Sequence, residues 1–285
     1  MKLKIYDGSK ESGSKELPRQ FQEEIRPDVI KRAVLAIYAN TRQPYGTDPE
    51  AGKKSSSKLS RRRNDWKGSY GHGISRIPRK ILSRSGTHFN WAGAMAPQAV
   101  GGRTAHPPKA EKIWAQKVNK KERKLAIRSA LSATVIKDLV KQRGHIVPDN
   151  YPFIIDSKIE KTAKTQDAIK ALENLGLSTE LERVSKRIIR AGKGKMRGRK
   201  YKRTRGILVV VSEKCPFEQA AENIPGVEVA RVLQLNAEML APGCHIGRMT
   251  FFTDAAVELL DKSKLFLNEK SVKVEKKETK KVAKK

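Results

Sequence analysis

Over residues 28–40, Val29, Ile30, Ala33, Val34, Ile37 and Tyr38 fall on one face at helical spacing, behind a Pro27-Asp28 start. At Asn40 this periodicity stops. From Thr41 to about Val118 neither the helical nor the strand period is sustained, and Gly, Pro, Ser, Arg and Lys dominate. Order then returns. Asn119 and Glu122 form a capping pair, and Ile127, Leu131, Val135 and Leu139 make one apolar stripe that predicts a helix to about Arg143. The run YPFIID at 151–156 reads as a short buried strand. Two helical patterns follow, one with Ala168, Ile169, Leu172 and Leu175 ending at Gly176, the other capped by Ser178 with Leu181, Val184 and Ile188. Further strands are predicted at 206–211 (GILVVV), 227–232 and 249–252, each followed by a short helical or capped segment.

Strands that are continuously apolar rather than alternating are buried on both faces, which indicates a parallel sheet between helices. With the right-handed crossover rule, the expected class is α/β, a doubly wound and mostly parallel sheet core with helices on both faces. To it are added a long extended irregular loop and a basic C-terminal tail. The predicted organisation is 1–40 as the first part of the globular domain, 41–118 as the loop, 119–267 as the rest of the domain, and 268–285 as a Lys-rich tail that builds no core.

Charge changes the picture of the loop. The 285-residue chain carries 61 Lys plus Arg against 30 Asp plus Glu, a formal net charge of +31. Such an excess suits a protein whose ligand supplies the countercharge, namely nucleic acid; a mere solubility bias is the plainer alternative. An acidic membrane surface is disfavoured, because there is no amphipathic helix with a large bare apolar face, no apolar N-terminal segment and no spanning run. A soluble, unexported protein is expected. Cys215 and Cys244 lie far apart without a CxxC pair, so neither a disulfide framework nor a zinc knuckle is predicted. Both read as small hydrophobes. The loop also contains Tyr45, Trp66, Tyr70, Phe89, Trp91 and Trp114, rings that a disordered linker lacks. Basic side chains interleaved with aromatics and glycines suit a strand threading folded RNA, with phosphates neutralising charge, bases stacking on rings and glycine admitting close approach.

An enzyme is the obvious rival, since nucleotide sites lie at the carboxyl ends of α/β strands. The chain has no GxxxxGK[ST] and no GxSxG. Its glycine-rich basic run at 192–198 precedes the GILVVV strand instead of following a strand, so it is not a phosphate turn. His72, His88 and His106 lie in the loop, His145 follows a helix and His245 adjoins Cys244, a pair too few for a metal site. Asp156, at the end of YPFIID, has the position of a catalytic carboxylate, but capping is the commoner use. No catalytic residue, metal or cofactor is assigned.

Between Arg183 and Arg205 there are 12 basic residues and no acidic one, punctuated by Gly192, Gly194 and Gly198 with Tyr201 inserted. A solvated face mixes signs, so this run reads as a phosphate clamp. In the loop, Arg61-Arg62-Arg63 and Arg76-Ile77-Pro78-Arg79-Lys80 are the strongest clusters, beside a Tyr70-Gly71-His72-Gly73 turn. A nonspecific basic arm or a localisation-like signal is the alternative for them.

A set of strings carries this further: RQPYG at 42–46, SRIPR at 75–79, PQAVGGRTAHPPK at 97–109, NKKER at 119–123, RSALSAT at 128–134, GRKYKR at 198–203, NIPGV at 223–227, LAPG at 240–243, and Phe252-Thr253. In this order, over nearly the whole chain, they resemble the universal large-subunit ribosomal protein of the L-four family in its archaeal and eukaryotic form. The absence of a long carboxyl-terminal extension fits an archaeal member. The resemblance implies a non-enzymatic, structural constituent of the large subunit, cytoplasmic in the ribosome, that binds and organises large-subunit rRNA. It also implies that the loop helps to form the constriction of the peptide exit tunnel, with the loop of a neighbouring large-subunit protein. Partners implied are that rRNA, neighbouring large-subunit proteins and, transiently, the nascent peptide, with no membrane. Carried onto this sequence, rRNA contacts would come from Arg42, Arg61, Arg62, Arg63, Trp66, Arg84, Arg103 and Lys109, and from Arg197, Arg199, Lys200, Tyr201, Lys202 and Arg203. The tunnel tip would comprise Lys67, Tyr70, His72, Arg76, Arg79 and Lys80. The family's glycine-rich tip is here replaced in part by SRRRNDWKG at 60–68 and KILSR at 80–84.

Overall fold

The computed structural model describes residues 1–65, 68–86 and 88–268. In chain order the described elements are β1 (Lys2–Asp7), β2 (Lys10–Glu16), α1 (Pro27–Asn40), β3 (Arg79–Ser85), β4 (His88–Gly93), α2 (Lys120–Val135), α3 (Lys137–Gln142), β5 (Ile154–Ile155), α4 (Thr165–Asn174) and α5 (Ser178–Ser185). They continue with β6 (Ile188–Ile189), β7 (Tyr201–Lys202), β8 (Leu208–Val211), α6 (Pro216–Glu222), β9 (Glu228–Arg231), α7 (Ala237–Leu240), β10 (Thr250–Thr253) and α8 (Asp254–Lys262). The chain divides into two compact units, Met1–Asn40 with Gln116–Lys285, and Thr41–Ala115.

The first unit is α/β, built on a mixed six-stranded sheet in the order β2-β1-β5-β10-β8-β9. From β1 to β9 every pairing is parallel, and β2 joins β1 antiparallel at one edge. The strands GILVVV and TFFT show why continuous apolar runs are needed. Leu208, Val210 and Phe252 point into one apolar cluster with α1, α2 and α8, while Val209, Val211 and Phe251 point into a second with α4 and α6. Because side chains alternate along a strand, a polar residue at any of these positions would sit in one core or the other.

The β1–β2 hairpin carries no apolar signal in its outer strand: KESGSKE is exposed but for a partly buried Lys15, as an edge strand tolerates. It is held by ion pairs instead, Lys4 to Glu11 at 2.5 Å and Lys15 to Asp254 and Glu258, the latter at 2.9 Å. The expected single helix to Arg143 is broken at Ile136, whose φ of −85° and ψ of 109° are extended. Thr134, Val135 and Ile136 are three β-branched residues in a row, poor helix formers, and the carbonyl of Thr134 is taken by the Tyr151 hydroxyl. Asn119 occupies the cap position of α2 without a side-chain cap bond, and Glu122 pairs with Arg32 at 3.2 Å instead of closing a capping box. Helix α5 starts one residue earlier than predicted, with Leu177 at its cap and Ser178 inside. It ends at Ser185, so Ile188 lies on β6, 56% exposed, and not on the helix.

Candidate nucleic-acid interface

The Thr41–Ala115 unit is organised by pairs of its own side chains. Its entry and exit are held by a ring cluster in which Tyr45 and Trp114 stack with centroids 5.5 Å apart, the Arg42 guanidinium 4.0 Å over Trp114 and Lys112 Nζ 4.4 Å from the same ring. Above this, two glycines let the outgoing and returning segments touch. A Cβ on Gly46 would stand 2.6 Å from the Ala110 nitrogen, and one on Gly52 (φ +76°) 2.6 Å from the backbone of Arg103. The Thr47 N–H donates to the Pro108 carbonyl at 3.1 Å across the same approach. Close approach is therefore a property of protein against protein at these two positions.

Farther out, β3 and β4 form an antiparallel hairpin with an irregularity between Ile81 and Ser83. Regular structure thus exists within a stretch where the sequence pattern gives no sustained period, because β3 is almost wholly exposed and β4 only part-buried, so neither strand needs a continuous apolar face. Rings and cations pair here too: Arg84 over Phe89 at 5.5 Å, Arg79 over Trp91 at 5.7 Å and Arg76 over Tyr70 at 4.5 Å. The Arg79 guanidinium also donates to the Ser75 carbonyl at 2.6 Å, and Arg84 Nε to the Gly86 carbonyl at 2.8 Å. Arg42, Arg61, Arg62, Arg63, His72, Arg76, Lys80, Arg84 and Lys109 are exposed, and Tyr70, Arg79 and Arg103 half-buried. Gly71 (φ +78°) and Gly73 (φ +66°) form an open turn on either side of His72. Trp66 and Lys67 lie outside the described residues.

The second basic group is a small hairpin in which Ile188 pairs with Lys202 and Ile189 with Tyr201. Arg190, absent from the sequence-derived site, shapes its turn: its backbone N–H donates to the Lys200 carbonyl at 2.9 Å and its Nε to the Arg199 carbonyl at 3.1 Å. Arg197, Arg199, Lys200, Tyr201, Lys202 and Arg203 are all exposed, with Lys200 5.5 Å and Arg187 6.0 Å from the Tyr201 ring. The hairpin therefore gathers six of the predicted residues on one projection.

Buried ion networks anchor both ends of that projection. Glu180, fully buried, accepts from Arg183 Nη2 at 2.6 Å, from His145 Nδ1 at 2.7 Å and from the Ile146 N–H at 3.0 Å. Burial alone would raise its carboxyl, but these donors outweigh it and hold the group at about 2. Burial lowers the pKa of the His145 imidazole against the opposing pull of Glu180. Arg183 Nη2 also reaches the Arg205 carbonyl at 3.2 Å. On the other side Arg248, fully buried, donates to the Gly206 carbonyl at 2.9 Å and to Glu228 at 2.8 Å, and Glu228 also pairs with Arg205. Burial pushes the Arg248 guanidinium down to about 10, which leaves it charged at neutral pH.

At the carboxyl edge of the sheet, where an enzyme of this class would hold its substrate, the acidic side chains Asp156 and Glu160 are engaged by the chain's own groups. Asp156 accepts from the Lys158 N–H at 3.0 Å as a cap, and Lys158 Nζ bridges it to Asp7. Glu160 receives the Ser212 N–H at 3.0 Å, the Ser212 hydroxyl at 2.8 Å and the Thr253 hydroxyl at 2.6 Å. These groups tie strand ends together. Cys215 and Cys244 are free and half-buried, with burial pushing the Cys215 thiol up. The carbonyl of His245 accepts from Arg143. Among the described residues no helix is long and apolar enough to cross a membrane.

Residues 15–263 match the model of the ribosomal protein L4/L1 family. The chain is 50% identical over 268 residues to the large ribosomal subunit protein uL4 of Nanoarchaeum equitans, covering 93% of this chain and 100% of that protein. It is 47% identical over 263 residues to the protein of the same name from Methanocaldococcus jannaschii, covering 91% and 98%. With the one from Archaeoglobus fulgidus it shares 44% over 246 residues, covering 86% and 92%.

Proposed function

The chain belongs to the ribosomal protein L4/L1 family, and on that premise we propose that it is a structural constituent of the large ribosomal subunit that binds and organises large-subunit rRNA. It is a ribosomal protein and not an enzyme. The observation that carries the RNA reading is the placement of exposed cations on two projections, the 41–115 unit and the β6–β7 hairpin. Phosphates would lie on Arg42, Arg61, Arg62, Arg63, Arg84, Arg103 and Lys109, and on Arg197, Arg199, Lys200, Lys202 and Arg203, with Tyr201 offering a ring face.

In this reading residues 41–118 are the rRNA-penetrating extension, and its tip around Tyr70, His72, Arg76, Arg79 and Lys80 helps to narrow the exit tunnel beside a second loop protein and the passing peptide. The globular part is a doubly wound core, a view supported by the two apolar clusters that share the strands GILVVV and TFFT. The protein works in the ribosome in the cytoplasm.

Sucrose-gradient fractionation of native extract at moderately high salt, with detection of this chain, tests the reading. Stoichiometric sedimentation with large subunits is expected. Recovery at the top of the gradient would overturn it.

A further inference from the structure

Within the 41–115 unit the two touching segments enclose a cavity of about 610 Å³, inside the range of roughly 300–1,000 Å³ typical of sites that hold a small organic ligand. Pro49, Ala51, Ala105, Pro107 and Pro108 give it apolar lining. Lys53, Arg103 and Lys109 line it as well. Two acids also line it, Asp48, which Lys54 pairs at 2.5 Å, and Glu111. The shape is held without any ligand, by Gly52 against the Arg103 backbone and by the Thr47 N–H on the Pro108 carbonyl. Arg103 directs one N–H to the Ala105 carbonyl at 3.5 Å.

Apolar and cationic groups lining one cavity are complementary to a flat ring joined to an anion. Paired RNA presents phosphates along a convex helix and keeps its bases stacked inside, so it offers no free ring to the apolar lining. We propose that this cavity takes one unpaired nucleotide of the bound RNA, its base against Pro49, Ala51, Ala105 and Pro107 and its phosphate on Lys53, Arg103 and Lys109. The proposal rests on the RNA-binding reading above and adds to it a defined site for an extruded base. It assigns the apolar residues of 47–110, which carry no charge and stand in neither apolar cluster of the other unit, a recognition role.

The test compares the full wild-type chain with Ala105→Phe and Thr104→Trp on a large-subunit rRNA transcript, by base-specific chemical modification and by affinity at several salt concentrations. Both positions are exposed, and urea unfolding of each variant verifies that the fold is retained. In the wild type one unpaired base is protected; in both variants it becomes reactive again. Affinity falls by roughly fivefold or more, as loss of one base contact implies, while the dependence on salt stays unchanged because no phosphate partner is removed. The inference is overturned if no base differs between wild type and variants, or if the differing base is Watson–Crick paired. Salt-insensitive or absent binding by the wild type would instead overturn the RNA reading, and this site with it.

Discussion

At Gly226 the backbone holds φ at +75°, and a Cβ there would overlap Val184 Cγ1. Two penalties coincide at one atom, left-handed backbone strain and overpacking against a buried β-branched residue. Gly226→Ala is expected to lower stability by about 2–4 kcal/mol, read as a fall in the urea midpoint; an unchanged midpoint would contradict the packing described. The string NIPGV announces a turn at 223–227, but nothing local names Val184 as the neighbour that makes glycine obligatory. Glu180 teaches the same lesson about charge. Its spacing to Arg183 suggests a solvated i,i+3 pair, whereas the fold buries it between Arg183 and His145. The folded carboxyl is held at about 2, below its ordinary 4.5, so its contribution is complete above about 4.5 and is lost as pH falls toward 2. That contribution is on the order of 3 kcal/mol. Glu180→Gln should therefore destabilise the protein at neutral pH and flatten the fall in stability between those two pH values. Parallel pH profiles for both proteins would rule this out.

Among the elements, α8 shows how a helix end and a strand end are secured by one side chain. The Thr253 hydroxyl accepts from the Ala256 N–H at 3.2 Å, capping α8, and donates to Glu160 at 2.6 Å beside the end of β8. Thr253→Val keeps the shape and removes both bonds. A loss of about 1–2 kcal/mol is expected, measured by chemical denaturation, and a smaller loss than about 0.5 kcal/mol would show that the cap is idle. Elements with a continuous or periodic apolar pattern were legible: α1, β8, β10 and α4 lie where Val34, Val209, Phe251 and Leu172 place them. Elements without such a pattern were not. The polar β2 and the β3–β4 pair are specified by ion pairs, ring–cation contacts and backbone ladders, which leave no sustained apolar period to read. The basic hairpin was legible as charge, from Arg197 to Arg203, but not as a β-ribbon, because Ile188 and Ile189 have no core to face.

For the whole molecule, the net charge of +31 is concentrated where folding asks least of it. Each apolar cluster draws only on residues outside 41–115, and the basic hairpin is joined to the sheet through the Arg183–Glu180 and Arg205–Glu228–Arg248 networks. If binding uses phosphates on both projections, and some six to ten are engaged, affinity for large-subunit rRNA should fall by roughly 10³–10⁵ between 50 and 200 mM salt. A flat response would remove the electrostatic basis of the reading.

The touching points Gly46–Ala110 and Gly52–Arg103 also bear on how this extension can change over generations. They fix the register of one segment against the other like rungs on a ladder. One residue inserted between 47 and 51, with no counterpart between 104 and 109, would put the two approaches out of step with each other. Matched changes of length on the two segments preserve both rungs, whereas a single insertion between them strains one.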